Sequence, residues 1–316
     1  MDTKELFLKA EFSDILGQDE AKEQLKSALV SGRHILILGQ PGIGKTTLAK
    51  NIAKLLPSVI MEISKSDGKK EKVKVPGEKR FIRVQGSPDL VVEDLLGDID
   101  PIKALKFGPT SVEAFTPGKI FKAQQGILFF DEINRASEKL QNALLQVMQE
   151  GEATIGSYTV NFPVDFVLIA TMNPEDSSTE KMSSVLLDRF DVIYMGYPEK
   201  TETEEQIARI KGKNLAEFPK NLLDLTVKYI RRIREHKNIE KKPSVRATIG
   251  IYERAQANAL IDKRKKVNLK DISKALVSVL SHRIEFKPSV KYVEDPVKFL
   301  TKEFSDFLKE EKSDIP

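Results

Sequence analysis

The run Gly39-Gln40-Pro41-Gly42-Ile43-Gly44-Lys45-Thr46-Thr47 concentrates groups that bind phosphate. It fits a glycine, four residues, then Gly-Lys-Thr. Glycines let successive backbone N–H groups turn inward around an anion. A helix that starts at Lys45 adds the positive end of its dipole. The Lys45 ammonium then reaches the β- and γ-phosphates, and the Thr46 hydroxyl binds Mg²⁺. The implied ligand is a nucleoside triphosphate with magnesium.

Such a site needs acids at the end of a neighbouring strand. Four apolar residues precede Asp131 and Glu132 in "ILFFDE". Asp131 is placed for a direct or outer-sphere contact to Mg²⁺, and Glu132 for orienting and deprotonating the attacking water. Taken alone, Asp-Glu after a strand is an ordinary polar strand end; the upstream phosphate loop gives it a role. Asn173 ends the next apolar run, "LIATMNP", where its amide holds the lytic water with Glu132. The competing use of that dipeptide is a turn before Pro174.

The elements that must carry these groups are legible as periodicity. Apolar residues at Ala21, Leu25, Ala28 and Leu29 have helical spacing, and a helix is expected from Lys45 onward. Short buried strands are expected at residues 34–38, 80–86, 126–133, 165–174 and 191–198. Residues 137–148 read as a helix, and residues 152–162 as a hairpin about a Gly-Ser turn. Strands alternating with helices make an α/β domain with a mainly parallel sheet over residues 1–198. Helical patterns alone occupy the next stretch, giving an all-α domain over residues 199–284. A tail over residues 285–316 holds one amphipathic helix with Val297, Leu300, Phe304 and Leu308 on one side. The lysine-rich residues 64–80 read as a solvated, exposed loop, because acidic residues interrupt the basic run.

Composition bounds the chemistry. The chain has 316 residues, 40% of them hydrophobic, with a net charge of +4 and both signs interspersed. That suffices for a packed core and gives no nucleic-acid stripe. Zero cysteines exclude disulfides, Fe–S clusters and thiolate zinc. Three histidines, His34, His236 and His282, lie far apart in no ligand-spaced motif, so no metal site built from protein ligands alone is assigned. The N-terminal residues have no apolar signal region, and no run is long enough for a membrane span. A soluble cytoplasmic protein is expected.

The phosphate loop, "FFDE", "TMNP", "LLDRFD" and the helical region, in this order, resemble the AAA+ ATPases, over roughly residues 12–260. "LLGDIDPIKAL" and "FTPGKIFKA" are similar to the magnesium-chelatase subunit I, and "DEINRA" to the MoxR group. The resemblance implies a three-layer P-loop domain followed by a small helical lid, with an insertion at about residues 93–125. "DILGQDEAK" resembles the family segment beside the adenine, which implies nucleotide contacts for Ile15, Gly17 and Gln18. "LLDRFD" places Arg189 where the family keeps an arginine finger supplied in trans; from residues alone, Arg189 reads as a surface salt bridge with Asp188 or Asp191. "KPSVRATIG" places Arg246 at the sensor 2 position, in cis or in trans, and Arg135 is a further interface candidate.

The same resemblance implies ATP hydrolysis with Mg²⁺ by a ring, usually a hexamer. The first functional expectation is a MoxR-like motor that remodels a partner with a separate MIDAS or von Willebrand-type domain. The second is the ATPase subunit of a magnesium chelatase. A nucleic-acid motor is a third, disfavoured because residues 152–162 contain no Lys or Arg. A nucleotide switch without turnover is disfavoured by the presence of Glu132, Asn173 and Arg189.

Overall fold

Continuous apolar runs and amphipathic helices alternate through the first part of the chain. The computed structural model describes residues 7–8, 10–64, 70–108, 111–154, 161–174 and 182–313. It divides into two units, residues 1–40 with 44–195, and residues 41–43 with 196–316. The first runs through α1 (Asp19–Val30), β1 (His34–Gly39), α2 (Lys45–Leu55), β2 (Val59–Ser64), β3 (Lys70–Val75) and β4 (Phe81–Gln85). It continues through α3 (Val92–Leu96), β5 (Gly97–Ile99), α4 (Pro101–Phe107), β6 (Phe115–Pro117), α5 (Lys119–Lys122) and β7 (Gly126–Asp131). It closes with α6 (Glu138–Glu150), β8 (Glu152–Thr154), β9 (Asn161–Pro163), β10 (Phe166–Met172), α7 (Ser184–Leu187) and β11 (Phe190–Met195).

Five strands form one parallel sheet in the order β11-β1-β10-β7-β4. The centre of β1, and residues Ile127–Phe130 of β7, are fully covered because helices pack both faces, the usual state of a parallel sheet. In α1 the buried residues are Ala21, Leu25, Ala28 and Leu29, the stripe its periodicity predicts. Ser137 caps α6 by accepting from the Leu140 N–H, and Gly151 ends it in the left-handed conformation. The last strand starts one residue earlier than expected and stops at Met195.

The loop expected over residues 64–80 is corrected by the structure. Strands β2 and β3 pair antiparallel from Val59↔Val75 to Ser64↔Lys70. Lysines alternate with valines here, so Lys72 and Lys74 are exposed while Val73 and Val75 are half-buried, a period-2 pattern that charge counting overlooks. Strands β8 and β9 pair antiparallel as expected, and their Gly-Ser turn lies outside the described residues. The insertion holds α3 to α5 and the antiparallel pair β5–β6. Helix α4 within it buries no residue.

The second unit contains α8 (Thr201–Lys211), α9 (Lys220–Glu235), β12 (Ile239–Lys241), α10 (Val245–Ile261), α11 (Leu269–Leu280), β13 (Glu285–Phe286) and α12 (Pro296–Ser313). It is helical, as expected, with one short antiparallel pair, β12 and β13. The C-terminal helix packs onto it. Phe299, Leu300, Phe304 and Phe307 join the core of this unit, while Val297 is 46% exposed. Two apolar stripes overlap on α12, and the one richer in aromatic area is buried. A buried ionic cluster ties three helices together. Arg234 of α9 donates to both Glu204 oxygens of α8 at 2.7 and 2.6 Å, and Thr248 of α10 donates to Glu204 as well.

Candidate active site

All five strands of the main sheet are parallel, so β1, β10, β7 and β4 end at one edge, the usual ligand edge of an open α/β sheet. Strand β1 ends at Gly39, and α2 begins at Lys45. Between them Gly42 (φ 82°) and Gly44 (φ 106°) adopt left-handed backbone that a side chain disfavours. Pro41 is exposed, whereas Ile43, Thr46 and Thr47 are half-buried. Lys45 is buried, and its ammonium donates to the carbonyls of Gly39 and, at 3.3 Å, Gln40. Ile15 is buried with its Cδ1 only 3.6 Å from where a Cβ on Gly44 would lie. Gly17 (φ 66°) and Gln18 (φ 60°) turn the chain into α1, and the Asp14–Lys54 ion pair at 2.7 Å ties this segment to α2.

The two acids are held at the end of β7 by a residue that motif reading passes over. Thr171 of β10 is fully buried. Its hydroxyl donates to Asp131 Oδ1 at 2.7 Å and accepts from the Glu132 N–H at 3.0 Å. Arg83 of β4 donates to the other Asp131 oxygen at 2.6 Å. Gln85, also on β4, donates to Glu132 Oε2 at 3.1 Å. Arg135, expected at an interface, pairs with the same Glu132 oxygen at 3.2 Å. Glu132 itself has φ 56°, a left-handed conformation uncommon for a residue with a side chain. Gly86 makes this possible: its N–H donates to the Asp131 carbonyl at 2.7 Å, and a Cβ there would collide with the Glu132 carbonyl. The sequence signals for these partners were faint: a lone hydroxyl inside an apolar run, and polar residues at alternate positions of an edge strand.

Asn173 comes directly after β10 and is half-buried. Since β10 lies between β1 and β7, Asn173 emerges between the phosphate-loop strand and the acid strand. Arg189 is elsewhere. It precedes Phe190, which pairs with His34 at the start of β1, so it sits at the opposite edge of the sheet from Gly39. Six residues of strand at about 3.3 Å each separate the two edges by roughly 20 Å. Arg189 is exposed, with its guanidinium 2.7 and 3.2 Å from the Gln149 amide, whose oxygen is the atom that satisfies both donors. Asp191 pairs instead with Arg33 at 3.1 Å. Arg246 belongs to the second unit, where it is exposed in the first turn of α10.

The donor set suits magnesium. Thr46 offers a hydroxyl and Asp131 a carboxylate, both hard oxygens. Among the described residues no group of three His, Cys, Asp or Glu is arranged to hold a metal. No helix among them is long and apolar enough to cross a membrane.

Residues 34–190 match the AAA domain of the dynein-related subfamily, and residues 231–299 match an AAA lid domain. The chain belongs to the AAA+ ATPases. Within that family it is similar to chaperone MoxR1 of Mycobacterium tuberculosis, 28% identical over 301 residues that span 85% of this chain and 72% of the relative. It is equally similar to the magnesium-chelatase subunit ChlI of a Synechocystis species, 28% identical over 326 residues and 88% of each chain. A structure of the complex between magnesium-chelatase subunits BchI and BchD shares the fold with TM-score 0.50 and 21% identity, over 92% of this chain and 98% of that one. This AAA+ ATPase stands in the MoxR and ChlI group, in a family whose members typically assemble as rings.

Proposed function

We propose that this ATPase hydrolyses ATP with Mg²⁺ at the strand-end edge and uses the cycle to remodel a partner protein. The observation that carries the hydrolytic reading is the Thr171 hydroxyl of β10, the strand between β1 and β7, which holds Asp131 and Glu132 together. When ATP enters, the Lys45 ammonium exchanges the Gly39 and Gln40 carbonyls for β- and γ-phosphate oxygens. The glycine loop and the first turn of α2 supply N–H donors. Ile15, Gly17 and Gln18 flank the base. Thr46 and Asp131 hold the magnesium, which when bound neutralises charge on the phosphates. Glu132 accepts the proton of the attacking water, while the Asn173 amide orients that water.

The position of Arg189 bears on assembly. A guanidinium at the far edge of the sheet is remote from its own phosphate loop, but a neighbouring copy can meet it there. Arg189 then stabilises the developing charge on the neighbour's γ-phosphate, an effect worth roughly 10³–10⁵ in rate. Arg246 adds a guanidinium from the lid, in cis or in trans.

The partner in the first reading carries a MIDAS or von Willebrand-type domain, as the MoxR group implies. A second reading, the ATPase subunit of a magnesium chelatase, is favoured to the same degree by the 28% identity to ChlI across 88% of the chain. Nucleic acid is a poor third, since the described strands β8 and β9 carry no basic residue. The test is an ATP-loaded Glu132→Gln trap recovered from lysate of its own host. Co-purification of a MIDAS-domain protein supports remodelling, and chelatase subunits or porphyrin support the second reading. Nucleic acid retained through moderate salt would overturn both.

A further inference from the structure

Arg189 is held firmly for an exposed side chain. The next residue, Phe190, is buried, and so is Leu186, whose carbonyl accepts from the Arg189 N–H at 3.2 Å. Ser183 caps α7 by accepting from the Leu186 N–H, which sets the turn from which Arg189 projects. Its guanidinium then meets Gln149 in the last turn of α6. A guanidinium only donates, so the amide presents its oxygen, which accepts from Nη2 at 2.7 Å and from Nε at 3.2 Å. Bonds from one edge to a single oxygen fix the plane of the fork, and the donors of the opposite edge are not spent on Gln149.

What holds Arg189 is neutral, although acids flank both residues in sequence. Asp191 is taken by Arg33 at 3.1 Å, and Glu150 accepts from Gln146 at 3.1 Å. Among the described residues no carboxylate forms an ion pair with Arg189. The other arginines of the first unit differ. Arg33, Arg83 and Arg135 are exposed, and they meet Asp191, Asp131 and Glu132 respectively. Arg80 is buried and donates to the carbonyls of Gln125 and Pro57. The distinction matters electrostatically. A carboxylate at hydrogen-bond distance cancels most of the attraction that a guanidinium offers to a further anion, whereas an amide leaves the net charge in place.

We propose that Gln149 is the positioning residue of Arg189: its neutral amide fixes the direction of the guanidinium and preserves its charge for the γ-phosphate carried by a second copy of this chain. The proposal rests on the trans reading of Arg189 above. Both residues belong to the first unit, so the arrangement is complete within one copy before two copies meet. A charge oriented in advance costs no reorganisation when the phosphate develops its own. The competing account is a surface contact with no part in turnover.

The experiment separates the copy that gives the arginine from the copy that receives it. Full-length Arg189→Ala, which keeps Glu132, is co-assembled with full-length Glu132→Gln, which keeps Arg189, and phosphate release is measured at saturating ATP. Each variant alone is slow; together they regain turnover at sites that combine Glu132 of one copy with Arg189 of the next. Gln149→Glu is then added to one partner at a time. In the Glu132→Gln copy it pairs with Arg189 and should lower the regained turnover about tenfold, with mant-ATP affinity and size-exclusion elution unchanged and the melting temperature not lowered. In the Arg189→Ala copy the same change should alter the regained turnover less than about twofold, since no guanidinium remains there to pair. Gln149→Ala in the Glu132→Gln copy keeps the charge and frees the side chain, so a smaller loss of about threefold is expected. Equal losses from both placements of Gln149→Glu, or no loss from the Glu132→Gln copy, overturn the role of Gln149. Absence of regained turnover in the parent mixture refutes the trans reading of Arg189 itself, and the proposal falls with it.

Discussion

Replacing Glu132 by glutamine removes a proton acceptor while nearly preserving shape, so its effects on folding and on chemistry can be separated. The amide oxygen still accepts from Gln85, as Glu132 Oε2 now does at 3.1 Å. The hydrogen bond from the Glu132 N–H to Thr171 belongs to the backbone and persists. What disappears is the ion pair with Arg135, whose side chains are 45% and 32% exposed. Pairs that wet contribute about 0.2–1 kcal/mol, so stability should fall by less than about 1 kcal/mol. Loss of a general base should lower turnover by roughly 10²–10⁴, equivalent to about 3–5 kcal/mol in the barrier. The barrier change therefore exceeds the stability change several-fold. Phosphate release at saturating ATP, mant-ATP titration and a thermal melt measure the three quantities on one preparation. The expected result is near-normal affinity, a melt within a few degrees of wild type, and turnover at or below about one percent. Turnover within threefold of wild type in a folded, ATP-binding variant would refute the role of Glu132. A loss confined to affinity would instead make it a binding residue.

Three further outcomes rest on the packing. Glu204→Ala leaves Arg234 charged and buried without its partner, so urea unfolding should show a loss of about 3–5 kcal/mol; a loss below 1 kcal/mol would mean that Arg234 finds water. Gly86→Ala drives a methyl group into the Glu132 carbonyl, and should both destabilise the first unit by roughly 1–3 kcal/mol and suppress turnover; wild-type turnover would show that the strand end yields freely. His34 accepts from the Leu168 N–H at 3.0 Å, and burial, aided by Arg33, lowers its pKa from 6.5 to about 4. The folded state therefore binds fewer protons than the unfolded state between those values. The stabilisation is complete above pH 6.5 and is lost as pH falls toward 4, by on the order of 2–3 kcal/mol. In His34→Asn, whose amide oxygen can accept the same hydrogen bond, that part of the pH dependence should vanish.

These consequences differ in how far the sequence discloses them. The phosphate loop, the acid pair and Asn173 are legible because local order suffices: an apolar run must be a covered strand, and the polar residues next in the chain must lie at its end. The residues that hold the site are not legible that way. Thr171 is one hydroxyl in an apolar run, and its role exists only because β10 sits beside β7. Arg83 and Gln85 act because β4 is the strand next to β7, a fact of sheet order rather than of spacing. The β2–β3 pair is hidden by its charge, since its lysines read as solvated loop unless their alternation with valines is matched to the facing strand. On α12, two stripes share Leu300 and Phe304, and periodicity cannot choose between Val297 and the aromatic pair Phe299 and Phe307.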